Sequence, residues 1–251
     1  MERQFGIDIS KWQGKNFDIQ NAVNNEGVEF AIVKCGGSDK NVYRDSQFEN
    51  NYNKCKQAGI PVGTYWFSKA LTVEEAQRDA EYCYKLLQGK QFELPIYIDV
   101  ENKEQLRVGV NRLTAIIDAF CDYLEKRGYY VGIYSSKSFF KTYMDDNYLK
   151  KYTHWVAAWN YVKPILDSGA TVGIWQFGGE TNKIRSNKIN GQTVDQDYLY
   201  IDFPNIIKKN NLNGFGTDNT IRDTLADLIK KGYTIDKIQN ILDTMKGVSY
   251  Q

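Results

Sequence analysis

Short apolar runs alternate with helix-period stretches along the first 135 residues. Phe5-Gly-Ile-Asp-Ile-Ser10 has the pattern of a buried strand ending near Asp8. Over 18–26, Ile19, Ala22 and Val23 fall on a helical period, with Asn16 or Asp18 placed to cap it. Phe30-Ala-Ile-Val-Lys-Cys35 is a second buried strand, which Gly36-Gly37 is expected to end, and a helix over 46–58 stops at Gly59. Ile60-Pro-Val-Gly-Thr-Tyr-Trp-Phe67 is a third strand with an aromatic end, and Thr72 with Glu75 spells a capping box for a helix to about residue 87. Leu94-Pro-Ile-Tyr-Ile-Asp-Val-Glu101 is the fourth strand. A helix over 111–127 ends at Gly128, and Tyr129-Tyr-Val-Gly-Ile-Tyr134 is the fifth strand.

Alternation of strand and helix through five strands predicts parallel strands joined by right-handed crossovers. The rhythm then changes. His154-Trp-Val-Ala-Ala-Trp159, Val172-Gly-Ile-Trp-Gln-Phe177 and Val194-Asp-Gln-Asp-Tyr198 read as strands separated by stretches too short or too polar for full helices. Eight strands predict an α/β fold, an irregular or flattened (β/α) barrel with five regular β/α units and then three strands with few helices. A doubly wound sheet is the competing arrangement, but it leaves the three late strands hard to place.

Beyond residue 205 the pattern changes again. The expected organisation is a barrel over 1–205, a Gly/Asn linker over 206–217 and a small helical hairpin over 218–251, with helices at 220–231 and 234–245 around Gly232. So short a hairpin is marginal alone. It reads as a piece docked on the barrel or as a homodimer contact, while Gly232-Tyr-Thr-Ile-Asp-Lys-Ile-Gln-Asn240 resembles part of a short helical cell-wall-binding repeat found in some phage lysins, which implies a wall-binding appendage. Arg222, Lys230, Lys231, Lys237 and Lys246 balance Asp218, Asp223, Asp227, Asp236 and Asp243, so attraction to an anionic wall is not its purpose.

The fourth strand carries the chemistry. Residues two apart on a strand face the same way, so Asp99 and Glu101 deliver two carboxyls to one spot. Crowding them pushes their pKa values apart and leaves a proton donor beside an anion. The same spacing at Asp79-Ala-Glu81 falls in a helix, where it does not align side chains. In a barrel of parallel strands the reactive groups gather at the carboxyl ends. Asp8, Tyr65, Trp66, Asp99, Glu101, Tyr134, Trp159, Gln176 and Asp195 all lie at the ends of their runs, so one face collects four carboxyls inside a ring of aromatics. Buried acids without partners are costly, which argues against a purely structural reading of the whole set.

Composition narrows the picture further. A chain of 251 residues holds one large domain with an ample core. Its 18 Tyr, 12 Phe and 5 Trp supply flat amphipathic surfaces of the kind that stack on sugar rings. A net charge of +1 gives no footprint for nucleic acid. Cys35, Cys55, Cys83 and Cys121 form no Cys-x-x-Cys pattern and are expected as buried free thiols. His154 is alone and expected to be structural, so neither a metal site nor a cofactor is anticipated. No apolar run is long enough for a membrane span, and the first strand begins at Phe5 without the layout of a signal peptide. The expectation is synthesis in the cytoplasm without a leader.

Gly6-Ile-Asp8-Ile-Ser10 with Trp12-Gln13-Gly14, Gly63-Thr-Tyr65-Trp-Phe67, Ile98-Asp99-Val-Glu101, Trp175-Gln176-Phe177 and Val194-Asp195 together resemble the glycoside hydrolase family 25 muramidases, lysozymes found in phage endolysins and bacterial autolysins. The resemblance covers residues 5–204. It implies cleavage of the β-1,4 bond between N-acetylmuramic acid and N-acetylglucosamine in bacterial peptidoglycan. It also implies that Glu101 is the general acid, that Asp99 steadies charge or orients the acetamido group, and that Asp8 and Asp195 complete the acidic cluster. Tyr65, Trp66, Tyr134, Trp159, Gln176 and Asp197 are then the candidates for substrate binding. Attack by Asp99, by the acetamido oxygen or by water all remain open. Action on a wall by a chain without a leader implies release through a membrane hole made by a holin-type protein. The chain departs from the family at Lys34-Cys-Gly-Gly-Ser38, where many relatives carry Ala-Thr-Glu-Gly, and at Asp197, where Asn is common. The alternatives are a non-catalytic carbohydrate-binding barrel and a chitinase-like glycosidase.

Overall fold

The structure is a computed structural model that describes residues 2–39, 41–216, 228–237 and 239–240. The elements run β1 (Gln4–Ile9), α1 (Ile19–Glu26), β2 (Phe30–Ser38), β3 (Val42–Arg44), α2 (Phe48–Gln57), β4 (Val62–Phe67), α3 (Val73–Leu87), β5 (Ile96–Asp99), α4 (Val110–Glu125) and β6 (Val131–Ser136). They continue with α5 (Lys137–Thr142), α6 (Asp146–Leu149), β7 (Thr153–Ala157), β8 (Val172–Gly178), β9 (Lys188–Ile189), β10 (Gln192–Thr193), β11 (Asp195–Leu199) and α7 (Phe203–Lys209). Hydrogen-bonded neighbours follow the order β1-β11-β8-β7-β6-β5-β4-β2, and β1 also pairs with β2, which closes eight strands into a barrel. β3 hangs outside the ring on β2, and β9 with β10 forms a separate hairpin.

Two expectations need correction. Gly36-Gly37 does not end the second strand. β2 runs on to Ser38 because β3 folds back along it, pairing Gly36 with Arg44 and Gly37 with Tyr43. A Cβ at Gly36 would collide with the Tyr43 carbonyl and stand 2.8 Å from the Trp66 ring, so the bare backbone is what admits the extra strand. The ring is also not all parallel. β11 lies antiparallel to both β1 and β8, so its first residue, Asp195, rather than its last, shares the rim with the carboxyl ends of the other strands.

Alternation along the strands sorts the core into two layers. Residues facing outward, such as Ile7, Val33, Trp66, Ile98, Ile133 and Trp175, pack beneath the helices. Those facing inward fill the barrel: Phe30, Ile32, Tyr97, Trp155, Ile174 and Leu199, plugged at the bottom by Phe203 and Ile207. Glycines on inward positions make room for large neighbours. A Cβ at Gly6 would strike the Phe30 ring, and one at Gly132 would strike the Tyr97 ring and lie 2.7 Å from the Thr153 carbonyl. Small against large is how a narrow barrel fills without voids. Gly132→Ala is therefore expected to lower stability by about 1–3 kcal/mol, read as a lower melting temperature in a thermal unfolding scan.

Local signals formed as the chemistry requires. Asp18 caps α1 by accepting from Asn21 N, and Gly27 ends the helix in the left-handed region at φ 76°. Thr72 Oγ1 accepts from Glu75 N at 3.2 Å, while the Glu75 carboxylate reaches past Thr72 to Leu71 N at 2.7 Å. Asp79 is buried on α3 and accepts from Ser38 Oγ at 2.7 Å and Ser68 Oγ at 2.9 Å, tying the ends of β2 and β4 to the helix. His154 is buried and structural, its ring bridging the Tyr152 carbonyl and the Asp146 carboxylate, which also accepts from Ser168. All four cysteines are buried free thiols.

The stretch expected as a linker is docked on the barrel up to Gly216. Ile207 and Asn213 are fully buried. Asn213 accepts from Tyr130 N at 2.7 Å and donates to the carbonyls of Phe92 and Leu94 at 3.2 and 2.9 Å. The C-terminal hairpin, with its dimer and wall-binding readings, lies largely outside the described residues; 228–230, 235–237 and 239–240 are helical. Among the described residues no helix is long and apolar enough to cross a membrane.

Candidate active site

The inward-facing polar residues gather at the upper rim. β1 carries Asp8, β2 Lys34, β4 Tyr65, β5 Asp99, β6 Tyr134, β8 Gln176, and β11 Asp195 and Asp197. Strand register sets them side by side: Asp8 opposite Asp195, Asp99 opposite Tyr134, Lys34 opposite Tyr65, and Asp197 opposite Gln176. Trp155 on β7 is the floor, with the rings of Tyr134, Tyr97 and Tyr65 packed on it at 4.3, 5.3 and 5.9 Å between centroids.

Gln176 is the hub. Its Nε2 donates to Asp8 Oδ2 at 2.8 Å, and its Oε1 accepts from Tyr134 OH at 3.0 Å and Trp159 Nε1 at 3.2 Å. One amide therefore fixes an acid and two aromatic walls. Asp195 lies against Gly179, where any Cβ would collide with its carboxylate, and the Trp159 ring closes on the same glycine. Tyr134, Trp159 and Gln176 are thus joined on the rim, with Tyr65 beside them against Trp155.

Trp66 is not among them. It is fully buried and faces α3, tilted against the Tyr82 ring at 5.8 Å between centroids, because adjacent strand residues point to opposite faces and Tyr65 takes the cleft. Asp197 is also fully buried, below Asp8, and is not open to a substrate.

β5 ends at Asp99, but Val100 N still donates to the Tyr134 carbonyl at 3.0 Å, so the extended path continues and returns Glu101 to the cleft side. The two acids differ in access. Asp99 is 4% exposed with one oxygen, Oδ1, sealed from solvent and without a donor among the described residues, so Oδ2 is the atom that reaches the cleft. Glu101 stands open to solvent on a wall crowded by protein.

Burial, reinforced by Glu101, pushes Asp99 well above the usual aspartate range, and the Lys34 ammonium pulls it back. Burial likewise raises Glu101, again opposed by Lys34. Asp195 is raised to about 6 by burial and by the charges of Glu101 and Glu180. Asp8 is pushed well up by burial and by Asp195 and Asp197. Such a cluster retains protons near neutral pH.

Lys34 and Trp155 stand in the site without having been candidates for it from the sequence, and Trp12 entered only as part of a motif. Lys34 lies 5.6 Å from the Tyr65 ring centre and 4.6 Å from that of Phe67, and its even spacing from Phe30 and Ile32 could have placed it inside the barrel. Trp155 shares parity with Ala157 in the same way. Trp12 is 80% exposed on the turn after β1. That turn is braced: Ser10 Oγ accepts from Trp12 N at 3.3 Å, Gln13 Oε1 from Ser10 N at 2.8 Å, and Asp45 from Lys11 N at 3.2 Å.

A closed β/α barrel with clustered carboxyls among aromatics on one rim is the site of a glycoside hydrolase. The chain belongs to glycosyl hydrolase family 25, whose model matches residues 7–185. It is similar to the autolytic lysozyme of Clostridium acetobutylicum, 27% identical over 239 residues that cover 93% of this chain and 68% of that one. Lysozyme M1 of Streptomyces globisporus is 28% identical over 213 residues, 75% of this chain and 68% of the relative. Among solved structures, the modular autolysin LytC of Streptococcus pneumoniae, in complex with a synthetic peptidoglycan ligand, superposes with a TM-score of 0.69 at 25% identity. The match covers 79% of this chain and 47% of LytC.

Proposed function

We propose that the protein is an N-acetylmuramidase that hydrolyses the β-1,4 bond between N-acetylmuramic acid and N-acetylglucosamine in bacterial peptidoglycan, with Glu101 as general acid and Asp99 assisting. The observation that carries this reading is the pair itself: two mutually repelling carboxyls on one rim, one sealed beneath the cleft and one open to it. The lysozyme names of the two sequence relatives and the ligand of the pneumococcal autolysin support a wall substrate.

Cleavage needs a proton for the departing oxygen and negative charge near the developing oxocarbenium carbon. Burial raises Glu101, which favours its protonated form, and the open side chain has the access to deliver that proton. Asp99 Oδ2 faces the cleft from below, suited to an acetamido N–H. Holding that group turns its carbonyl oxygen toward the anomeric carbon, so attack comes from the substrate and the first product keeps the β configuration. Proton NMR of the nascent reducing end tests this, and an α anomer as first product contradicts substrate assistance. Release of fragments from cell walls but not from chitin separates a muramidase from a chitinase-like enzyme, and sedimentation with walls without release is the outcome for a non-catalytic barrel.

Trp12 serves in this reading as a platform for a sugar outside the cleavage point, since a braced turn holds its ring in solvent. Stacking of this kind is worth about 0.5–1.5 kcal/mol, so Trp12→Ala is expected to raise KM on walls roughly two- to tenfold, with the smaller change in kcat and none in melting temperature.

A further inference from the structure

Asp197 is a carboxyl of the rim cluster that no substrate can touch, and its hydrogen bonding is incomplete unless it carries a proton. Its Oδ1 accepts from Trp155 Nε1 at 2.7 Å. Its Oδ2 is sealed from solvent with no donor among the described residues, and the Asp8 carboxyl adjoins it diagonally from β1, where Asp8 faces Asp195 and Asp197 faces Gly6. Two ionised carboxylates in that contact would both be acceptors and would repel each other in a dry site. One proton between them removes both faults.

The negative charge is better supported on Asp8. That side chain retains 6% exposure and already accepts from Gln176 Nε2, whereas Asp197 has none. A neutral Asp197 uses Oδ1 as a carbonyl toward the indole and Oδ2–H as a donor toward Asp8, the pattern of a carboxamide. We infer that Asp197 is a protonated acid that donates a hydrogen bond to ionised Asp8 and, through Asp8, orients Gln176 and the Tyr134 and Trp159 walls that Gln176 holds. It is a positioning residue and not a substrate contact.

The surrounding charges raise both acids, and their mutual contact raises Asp8 and lowers Asp197. It is the sealed Oδ2 of Asp197, without a donor among the described residues and set against an Asp8 that is held by Gln176 and touches solvent, that places the proton on Asp197. Facing Asp197 are Asp8 from β1, Asp195 from its own strand and the Tyr97 phenol from β5, while the cation of the site, Lys34, acts on Asp99 and Glu101. Burial and Asp195 push Asp197 well above the ordinary aspartate range.

The test compares Asp197→Ala, Asp197→Asn and Asp8→Asn. Loss of a buried partner corresponds to about 10- to 100-fold, so the alanine variant is expected to lose that much kcat/KM on walls. Asparagine at 197, which keeps both acceptor and donor, is expected to recover most of the loss, and Asp8→Asn is expected to stay low. Asp197→Asn as poor as the alanine variant, or Asp8→Asn active while Asp197→Asn is not, overturns the assignment. These activity arms rest on the muramidase reading, but a second measurement does not. In protein labelled with carbon-13 at the aspartate carboxyls and carrying Asp99→Asn, infrared spectroscopy is expected to show a protonated carboxyl at neutral pH that disappears on adding Asp197→Asn. No protonated aspartate in the Asp99→Asn protein overturns the proposal even if the position-197 variants fail to fold.

Discussion

Glu101→Gln is expected to lower kcat on Gram-positive cell walls by roughly a hundred- to ten-thousand-fold, the range for loss of a general acid. Glutamine keeps the shape of the side chain and has no charge to desolvate, so the variant is expected to fold and to melt no lower than the wild type at neutral pH. The pH profile carries the sign. Burial raises Glu101 against the pull of Lys34, so the wild type loses activity as pH rises through that raised value, when the proton it must donate is gone. The residual activity of the glutamine variant lacks that alkaline fall. The substitution also removes the charge that helps hold Asp195 at about 6, so Asp195 titrates at lower pH in the variant, which carbon-13 NMR of its carboxyl measures.

Asp99→Asn is expected to reduce kcat by about a hundred- to a thousand-fold, the scale found when a group aimed at developing charge is removed. Stability moves the other way. Asp99 sits in the folded protein well above its ordinary value of 3.8. The folded state therefore binds more protons than the unfolded chain, and stability falls as pH rises. Its contribution is fully present below the unfolded pKa and is lost as pH climbs through the raised one. Asparagine has no proton to lose, so the variant is expected to melt above the wild type at neutral pH and to approach it in acid. A melting temperature for Asp99→Asn that tracks the wild type at every pH would show that the buried carboxyl is not strained by its charge.

Much of this site was legible from the chain because strand alternation is a strict period of two. That parity brought Asp99 and Glu101 to one side and gave the order of elements that closes the ring, as the strands from β4 to β8 show. Asp8 and Asp195 were correctly assigned to the same rim, although the reason was incomplete. Apolar periodicity carries no strand direction, and β11 reverses only because the chain crosses the rim over 179–194, bearing the β9–β10 hairpin, before it re-enters. Trp66 was misplaced by counting aromatics at a strand end without applying the parity that sends it outward from Tyr65. Gly36-Gly37 reads as a stop by composition, but glycine also admits a close neighbour, and only the fold says which use is made. Burial was the missing quantity for Asp197. Its spacing from Asp195 put it on the right face, and nothing in the sequence showed that it lies beneath Asp8 rather than in the cleft.

The most direct measurement is the release of new reducing ends from purified Gram-positive cell walls, with the terminal sugar identified, for the wild type beside Glu101→Gln. The expected result is soluble fragments ending in reducing N-acetylmuramic acid from the wild type and almost none from the variant. Ends in N-acetylglucosamine, or equal release by both proteins, would contradict the assignment of this barrel as a muramidase working through Glu101.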